Sequence, residues 1–280
     1  MALKAYLMAM RLHISTKVTS DVLNVVYKGD YQMNKYSVYE TNSFYWDTKG
    51  NDFLRAIVLP HYGAFISEEK HQLFGDVSGL KMLEVGCGNG QSLQYHGDRK
   101  AGELWGMDIS QKQIEKTQQH LRTYGISATL ICSPMEEECG IPTNYFDAVY
   151  SIYAIGWTTD LEGTFSRIAS YLKKDGIFIF SWSHPINRCV VEENDRFVFN
   201  KPYSDESWYA VSPDYCQGEL TLADRQLSTY VNALAKAGFV IEQMIEESDE
   251  DIMQLHNNSD SLLKRAKMLP VSFVIKARKR

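Results

Sequence analysis

No window of this 280-residue sequence is apolar for long enough to span a bilayer, because charged or polar residues interrupt every hydrophobic run. A membrane-spanning segment is therefore not expected. Met1 to Leu12 is weakly basic and apolar but lacks a long apolar core followed by a small-residue cleavage site, so it does not read as a signal peptide. Paired cysteine motifs are missing too. Cys87, Cys132, Cys139, Cys189 and Cys216 are odd in number and hold no C-x-x-C pair. That fits thiols in a reducing cytoplasm better than a disulfide framework or a zinc site. Positive charge is also short: a formal net charge of −6 argues against a polyanion as main partner. The basic tail from Lys276 to Arg280 reads as a solvated end. Repeats and low-complexity linkers are lacking, and ordinary hydrophobic and charged fractions exclude a disordered or fibrous chain.

What is there is an alternation of strand-like and helix-like runs. Lys81 to Val85 is a strand candidate running into Gly86-Cys87-Gly88-Asn89-Gly90, with a helix starting at Gln91. Glu103 to Asp108 is the second strand, and Ser110 is a good N-cap for a helix reaching about Tyr124. Ala128 to Cys132, Phe146 to Ser151 and Gly176 to Ser181 are the next strands, with an amphipathic helix over Leu161 to Leu172. The fifth strand is almost purely apolar, as a strand covered on both faces is. A helix from roughly Asp224 to Ala237, closed by Gly238, precedes strands over Val240 to Ile245 and Val271 to Ala277. The expectation is an α/β fold: a Rossmann-like, seven-stranded, mostly parallel sheet with helices on both faces and its last strand reversed.

Residues 34–280 read as one domain. Within it, 34–79 form a helical, aromatic-rich N-terminal lid, 184–223 an insertion covering the substrate, and 248–267 a polar helical segment. Residues 1–33 stand outside as a leader or disordered extension. Lys28-Gly29-Asp30 can be encoded AAA-GGA-GAT, a bacterial ribosome-binding sequence, and Met33 follows two codons later, as a natural start would.

A strand ending in Gly86-x-Gly88-x-Gly90 lets the backbone turn tightly and approach a ligand closely, with N–H groups turned toward an anionic group. The dinucleotide version of this turn needs glycine one place later, where Gln91 stands. The loop is thus a poor cradle for a pyrophosphate and suits a smaller ligand bearing a carboxylate. Asp108, ending the second strand, stands where an acid grips ribose hydroxyls. Glu84 can attract an ammonium group. A ligand with an amino acid at one end and a nucleoside at the other meets these demands, and S-adenosylmethionine is such a ligand.

Leu83-Glu84-Val85-Gly86-Cys87-Gly88-Asn89-Gly90 resembles the first motif of class I S-adenosylmethionine-dependent methyltransferases, and Gly106-Met107-Asp108-Ile109-Ser110 resembles their second. Ile141 to Val149 is similar to the stretch entering the fourth strand, and Tyr171 to Gly176 to the turn before the fifth. Gln226 to Tyr230 through Ala237-Gly238-Phe239, with Phe44-Tyr45-Trp46-Asp47 and Gly50-Asn51-Asp52-Phe53 upstream, looks like the small-molecule branch, of methyltransferase type 11 or UbiE-like kind. The resemblance covers roughly Asn34 to the C-terminus. It implies a cofactor site of Glu84, Gly86, Cys87, Gly88, Asp108, Ile109, Ser133, Pro134, Met135 and Ser151, with Trp46 and Tyr45 touching the ligand. Ser133 stands where family members often carry an aspartate that bonds the adenine amine; either its hydroxyl substitutes weakly or Met135 packs on the ring.

The implied activity is methyl transfer to an O, N or C atom of a small organic acceptor, with no metal expected. Tyr150-Ser151-Ile152-Tyr153 is neither the Asn-Pro-Pro-Tyr of amino-methylating nucleic-acid enzymes nor a Pro-Cys nucleophile. Carboxylates are not clustered as in metal-assisted catechol enzymes. His184, in Ser181-Trp182-Ser183-His184-Pro185, is the candidate base, with a hydrogen-bonded structural histidine as the alternative. Three other readings stay open: a non-catalytic binding protein, an NAD-dependent oxidoreductase (opposed by Gln91) and a nucleic-acid methyltransferase (opposed by charge and motifs). The acceptor and the oligomeric state are not legible.

Overall fold

The computed structural model describes residues 34–49, 58–211, 220–250, 254 and 261–280. The expected leader and the Gly50-Asn51-Asp52-Phe53 motif lie outside the described residues, as do parts of 184–223 and 248–267. In chain order the elements begin α1 (Lys35–Lys49), α2 (Glu68–His71), β1 (Lys81–Val85), α3 (Gln91–Asp98), β2 (Glu103–Asp108), α4 (Gln111–Thr123) and β3 (Thr129–Cys132). They continue β4 (Phe146–Ile152), α5 (Leu161–Tyr171), β5 (Leu172–Ser183), β6 (Val190–Glu193), β7 (Arg196–Phe199), β8 (Trp208–Val211) and β9 (Leu220–Ala223). The last are α6 (Leu227–Lys236), β10 (Phe239–Ile245), α7 (Ser261–Ala266) and β11 (Ser272–Lys279).

Seven strands form one sheet in the order β10-β11-β5-β4-β1-β2-β3. The pairs β1–β2, β1–β4, β2–β3 and β4–β5 are parallel, whereas β11 runs antiparallel to both its neighbours. This is the Rossmann-like α/β fold with its last strand reversed and a helical segment ahead of it. Parallel strands are apolar because both faces are covered. Leu83 and Val85 of β1 pack with Phe165 and Ile168 of α5 and Tyr230 and Leu234 of α6. Met82 packs in a second cluster with Leu93 of α3 and Leu121 of α4. Each such side chain removed from water contributes about 1.5–3 kcal/mol. Ser110 caps α4, its hydroxyl accepting the Gln113 N–H. From β1 the chain winds one way through β2 and β3 and the other through β4 and β5. That reversal opens a crevice at the strands' carboxyl ends.

Three expectations shift. β5 starts at Leu172, directly after α5, with Leu172 opposite Phe146 and Ile177 opposite Ala148, so Lys173 to Gly176 bulge from the ladder. α6 begins at Leu227 rather than Asp224, because the Asp224 carboxylate is taken by Arg188, Lys201 and Tyr209. The irregular stretch after β5 holds two antiparallel hairpins, β6–β7 and β8–β9.

Candidate cofactor and acceptor site

After β1 the chain turns through Gly86, Gly88 and Gly90, all left-handed at φ +77°, +50° and +80°. Two of these turns are crowded as well. A Cβ on Gly86 would stand 2.3 Å from the Ala154 Cβ, and one on Gly90 would stand 2.8 Å from Thr117 Cγ2. Thr117 Oγ1 donates to the Gly88 carbonyl at 2.6 Å, and the Gly88 N–H donates to Asp108 Oδ2 at 2.9 Å. Asp108 Oδ1 accepts the Ser110 N–H, also at 2.9 Å. Burial raises the Asp108 carboxyl to about 6 against these donors, with Asp47 nearby pushing the same way.

The loop, the strand ends and α1 enclose a cavity of ≈ 760 Å³, open mouth included. Of the residues expected to hold a cofactor, Gly86, Gly88, Asp108, Ile109, Ser133, Pro134, Met135 and Trp46 line it. The others stand behind or beside it. Glu84 is 2 % exposed under Tyr150, whose hydroxyl faces it at 3.5 Å, and burial pushes its carboxyl well above the carboxylate range. Cys87 is buried against the close approach of Gly106. Ser151 Oγ donates to the Val85 carbonyl at 2.8 Å, bracing β4 to the end of β1. Tyr45 packs with Leu220 and Leu222.

His184 also stands outside the lining. Its Nδ1 accepts the Ile186 N–H at 3.1 Å, so Nε2 carries the proton and donates to Glu246 at 2.6 Å. Burial lowers its pKa despite Glu246. The imidazole lone pair is thus engaged in capping the turn Pro185–Cys189, the structural alternative named for it.

The lining also holds Tyr39, Asn42, Gln113, Glu136, Tyr153 and Trp157, none of them singled out from sequence. Glu136 Oε1 accepts Thr158 Oγ1 at 2.7 Å together with the Thr159 N–H. Asn42 Nδ2 donates to the Thr221 carbonyl and its Oδ1 accepts the Thr221 N–H, both at 2.9 Å. An aromatic row runs along this side. Trp46 meets Trp157 edge-on at 5.4 Å, Trp157 meets Trp182 at 5.6 Å, and Trp182 meets Tyr153 at 5.3 Å. Gly156 lets the Trp182 indole lie against the backbone, since a Cβ there would be 1.9 Å from the ring. Only the run of aromatics in 34–46 hinted at this wall; Trp157 lies in no motif.

Helix α1 is fastened across both parts of the site. Ser43 Oγ donates to the Ile109 carbonyl at 3.2 Å, and Asp47 Oδ1 accepts from Ser110 Oγ at 2.5 Å and the Lys112 N–H at 3.2 Å. Among the described residues no helix is long and apolar enough to cross a membrane.

Residues 83–180 match the family described as a methyltransferase domain. An uncharacterized protein of Haemophilus influenzae is 29% identical over 259 residues, spanning 88% of this chain and 98% of its own length. A sterol 24-C-methyltransferase of Aspergillus fumigatus is 32% identical over 137 residues; the match covers 48% of this chain and only 34% of that protein. The fold matches that of an S-adenosylmethionine-dependent methyltransferase from Mesorhizobium loti, with a TM-score of 0.63 and 24% identity over 75% of this chain and 95% of that one. The glycine turns and the Asp108 carboxylate fit the cofactor that those names carry. Residues 83–180 are a methyltransferase domain, and its cofactor is S-adenosylmethionine.

Proposed function

We propose that this protein transfers the methyl group of S-adenosylmethionine to an O, N or C atom of a small, largely apolar organic acceptor. The observation that carries the acceptor half is the lining of the cavity. Among the described residues its charged side chains are Asp108 and Glu136, none is basic, and Trp46, Trp157, Ile152 and Tyr153 supply much of the remainder. Such a wall suits an uncharged acceptor and disfavours an anionic one. The sterol methyltransferase relative supports the same reading by its name.

Bound S-adenosylmethionine supplies a sulfonium methyl, an electrophile already activated for in-line displacement. The protein's task is then to orient and to exclude water. In this reading Asp108 accepts ribose hydroxyls, the Gly86–Gly88 turn brings backbone to the amino-acid end, and Ile109 and Met135 flank the adenine. Trp46 and Trp157 face the acceptor side, where an aromatic face also favours developing positive charge. Glu84, Cys87, Ser151 and Tyr45 act from behind by holding the loop and the aromatic row in place. No proton transfer is assigned to His184, whose lone pair is engaged. In this reading the described parts of 184–223 cover the acceptor, and the unpaired cysteines Cys87, Cys132, Cys139 and Cys189 accord with a cytoplasmic location.

Calorimetric titration with S-adenosylmethionine and its demethylated product, with NAD as control, tests the cofactor half. Saturable binding of the first two and none of NAD is expected. A panel of uncharged and anionic acceptors with radiolabelled methyl then tests the other half; turnover confined to anionic acceptors would overturn it.

A further inference from the structure

Gln113 is a cavity residue to which the proposed reaction assigns no role, and it carries an unpaired polar atom. It sits in the first turn of α4, is 1% exposed, and lines the cavity. Its Nε2 donates to the Trp46 carbonyl at 3.0 Å. A carbonyl can receive only the NH₂ end of an amide, so this bond fixes the other end as oxygen. Gln113 Oε1 is thereby a buried acceptor without a partner among the described residues. Leaving such an atom unpaired is costly, and its position on the cavity wall says where a partner would come from.

We propose that Gln113 is a cofactor-specificity residue, its Oε1 accepting a hydrogen bond from a ribose hydroxyl of S-adenosylmethionine. The proposal rests on the cofactor reading above and adds a residue and a selectivity to it. Three groups on the nucleoside half can donate: two ribose hydroxyls and the adenine amine. Asp108, five residues earlier, lines the same cavity, but its two oxygens already accept the Gly88 and Ser110 N–H groups. A diol brings two O–H donors to a carboxylate with reduced capacity, and Gln113 supplies a further acceptor at the start of the neighbouring helix. The same amide holds α1 through Trp46. Seating the ribose therefore orders the amide that fastens α1 beside the acceptor wall, so cofactor binding prepares the acceptor side.

Calorimetry on the full chain tests this with S-adenosylhomocysteine and three analogues, lacking the 2′-hydroxyl, the 3′-hydroxyl or the adenine amine. The native protein should bind one of the two deoxy analogues roughly tenfold more weakly than the parent. In Gln113→Met the parent should weaken by a similar factor, and that deoxy analogue should suffer no further loss. Ser43→Ala loosens α1 without touching the cavity wall and should keep the native discrimination. Equal binding of both deoxy analogues by the native protein overturns the proposal, and needs no variant. So do additive penalties in Gln113→Met, a coupling found only on the amine, or Ser43→Ala reproducing the loss. Native protein that binds no S-adenosylhomocysteine would instead sink the cofactor reading itself.

Discussion

Asp108 and Asn42 both line the cavity, yet they are held there by different kinds of connection. Asp108 takes its hydrogen bonds from Gly88, 20 residues away, and from Ser110, two residues away. Asn42 bonds Thr221, 179 residues away. The wall proposed for the cofactor is built from the consecutive stretch β1 to β3, whose own turns fix its shape. The wall proposed for the acceptor is assembled from an N-terminal helix and the turn after β4, with the helix pinned from behind by a late hairpin. Damage to the first should strike folding and cofactor affinity together, whereas damage to the second should spare the cofactor and strike the acceptor.

The largest effect belongs to Gly86→Ala. Its left-handed backbone and its 2.3 Å approach to Ala154 together imply a loss of about 3 kcal/mol, read as a drop in thermal midpoint. Asp108→Ala comes next and should weaken S-adenosylmethionine by roughly 30- to 100-fold, measured by calorimetry, through loss of charge-assisted bonds. With Asp108 raised to about 6, native affinity should hold above neutrality. It should fall as the pH drops below that value, where the carboxyl gains a proton and loses acceptor capacity. Asn42→Ala removes two bonds at the other wall, a cost of about 1–2 kcal/mol. It should raise the acceptor KM while leaving cofactor affinity within about twofold; equal damage to both would erase the distinction between the walls.

Two further effects refine the comparison. His96 is fully buried in α3 behind the glycine loop, ringed by Phe74, Tyr95 and Tyr150, and burial lowers its pKa to about 3. The unfolded chain takes up a proton near 6.5 that the folded one refuses. This residue's stability contribution is therefore complete above 6.5 and falls toward pH 3, by about 1.4 kcal/mol per unit at most. Denaturant titrations of His96→Leu should show a flatter acid limb. Smallest of all, His184→Gln should change kcat less than about threefold and leave the pH–rate profile in place, because the imidazole caps Ile186. A lost basic limb would restore it as a base.

The same division decides what could be read from the amino acids. β1, β2 and β4 were legible because apolar runs end at Gly86, Asp108 and Tyr153, and Ser110 announced α4. Gly86, Gly88 and Asp108 followed because their chemistry is local. The β6–β7 hairpin was not seen. Its strands are four residues each and carry Glu192, Glu193 and Arg196, so alternation is faint. Its signal was the turn, where Asn194 and Asp195 both take positive φ, a pairing that suits Asn and Asp. Gln113 lies between Lys112 and Ile114 on a polar helix, where no local pattern marks it as buried; its partner, the Trp46 carbonyl of α1, arrives from far along the chain. Trp157 and Asn42 reach the cavity through partners that no local pattern records.

The indoles of Trp46, Trp157 and Trp182, in edge-to-face contact at 5.4 and 5.6 Å, also form a row of chromophores close enough for their transitions to couple. Trp157 and Trp182 are borne by the sheet's own strands and turns, but Trp46 travels with α1. Any displacement of that helix breaks one link of the row and leaves the other intact. The near-ultraviolet circular dichroism of this protein is therefore a built-in gauge of where α1 stands, readable without label or ligand.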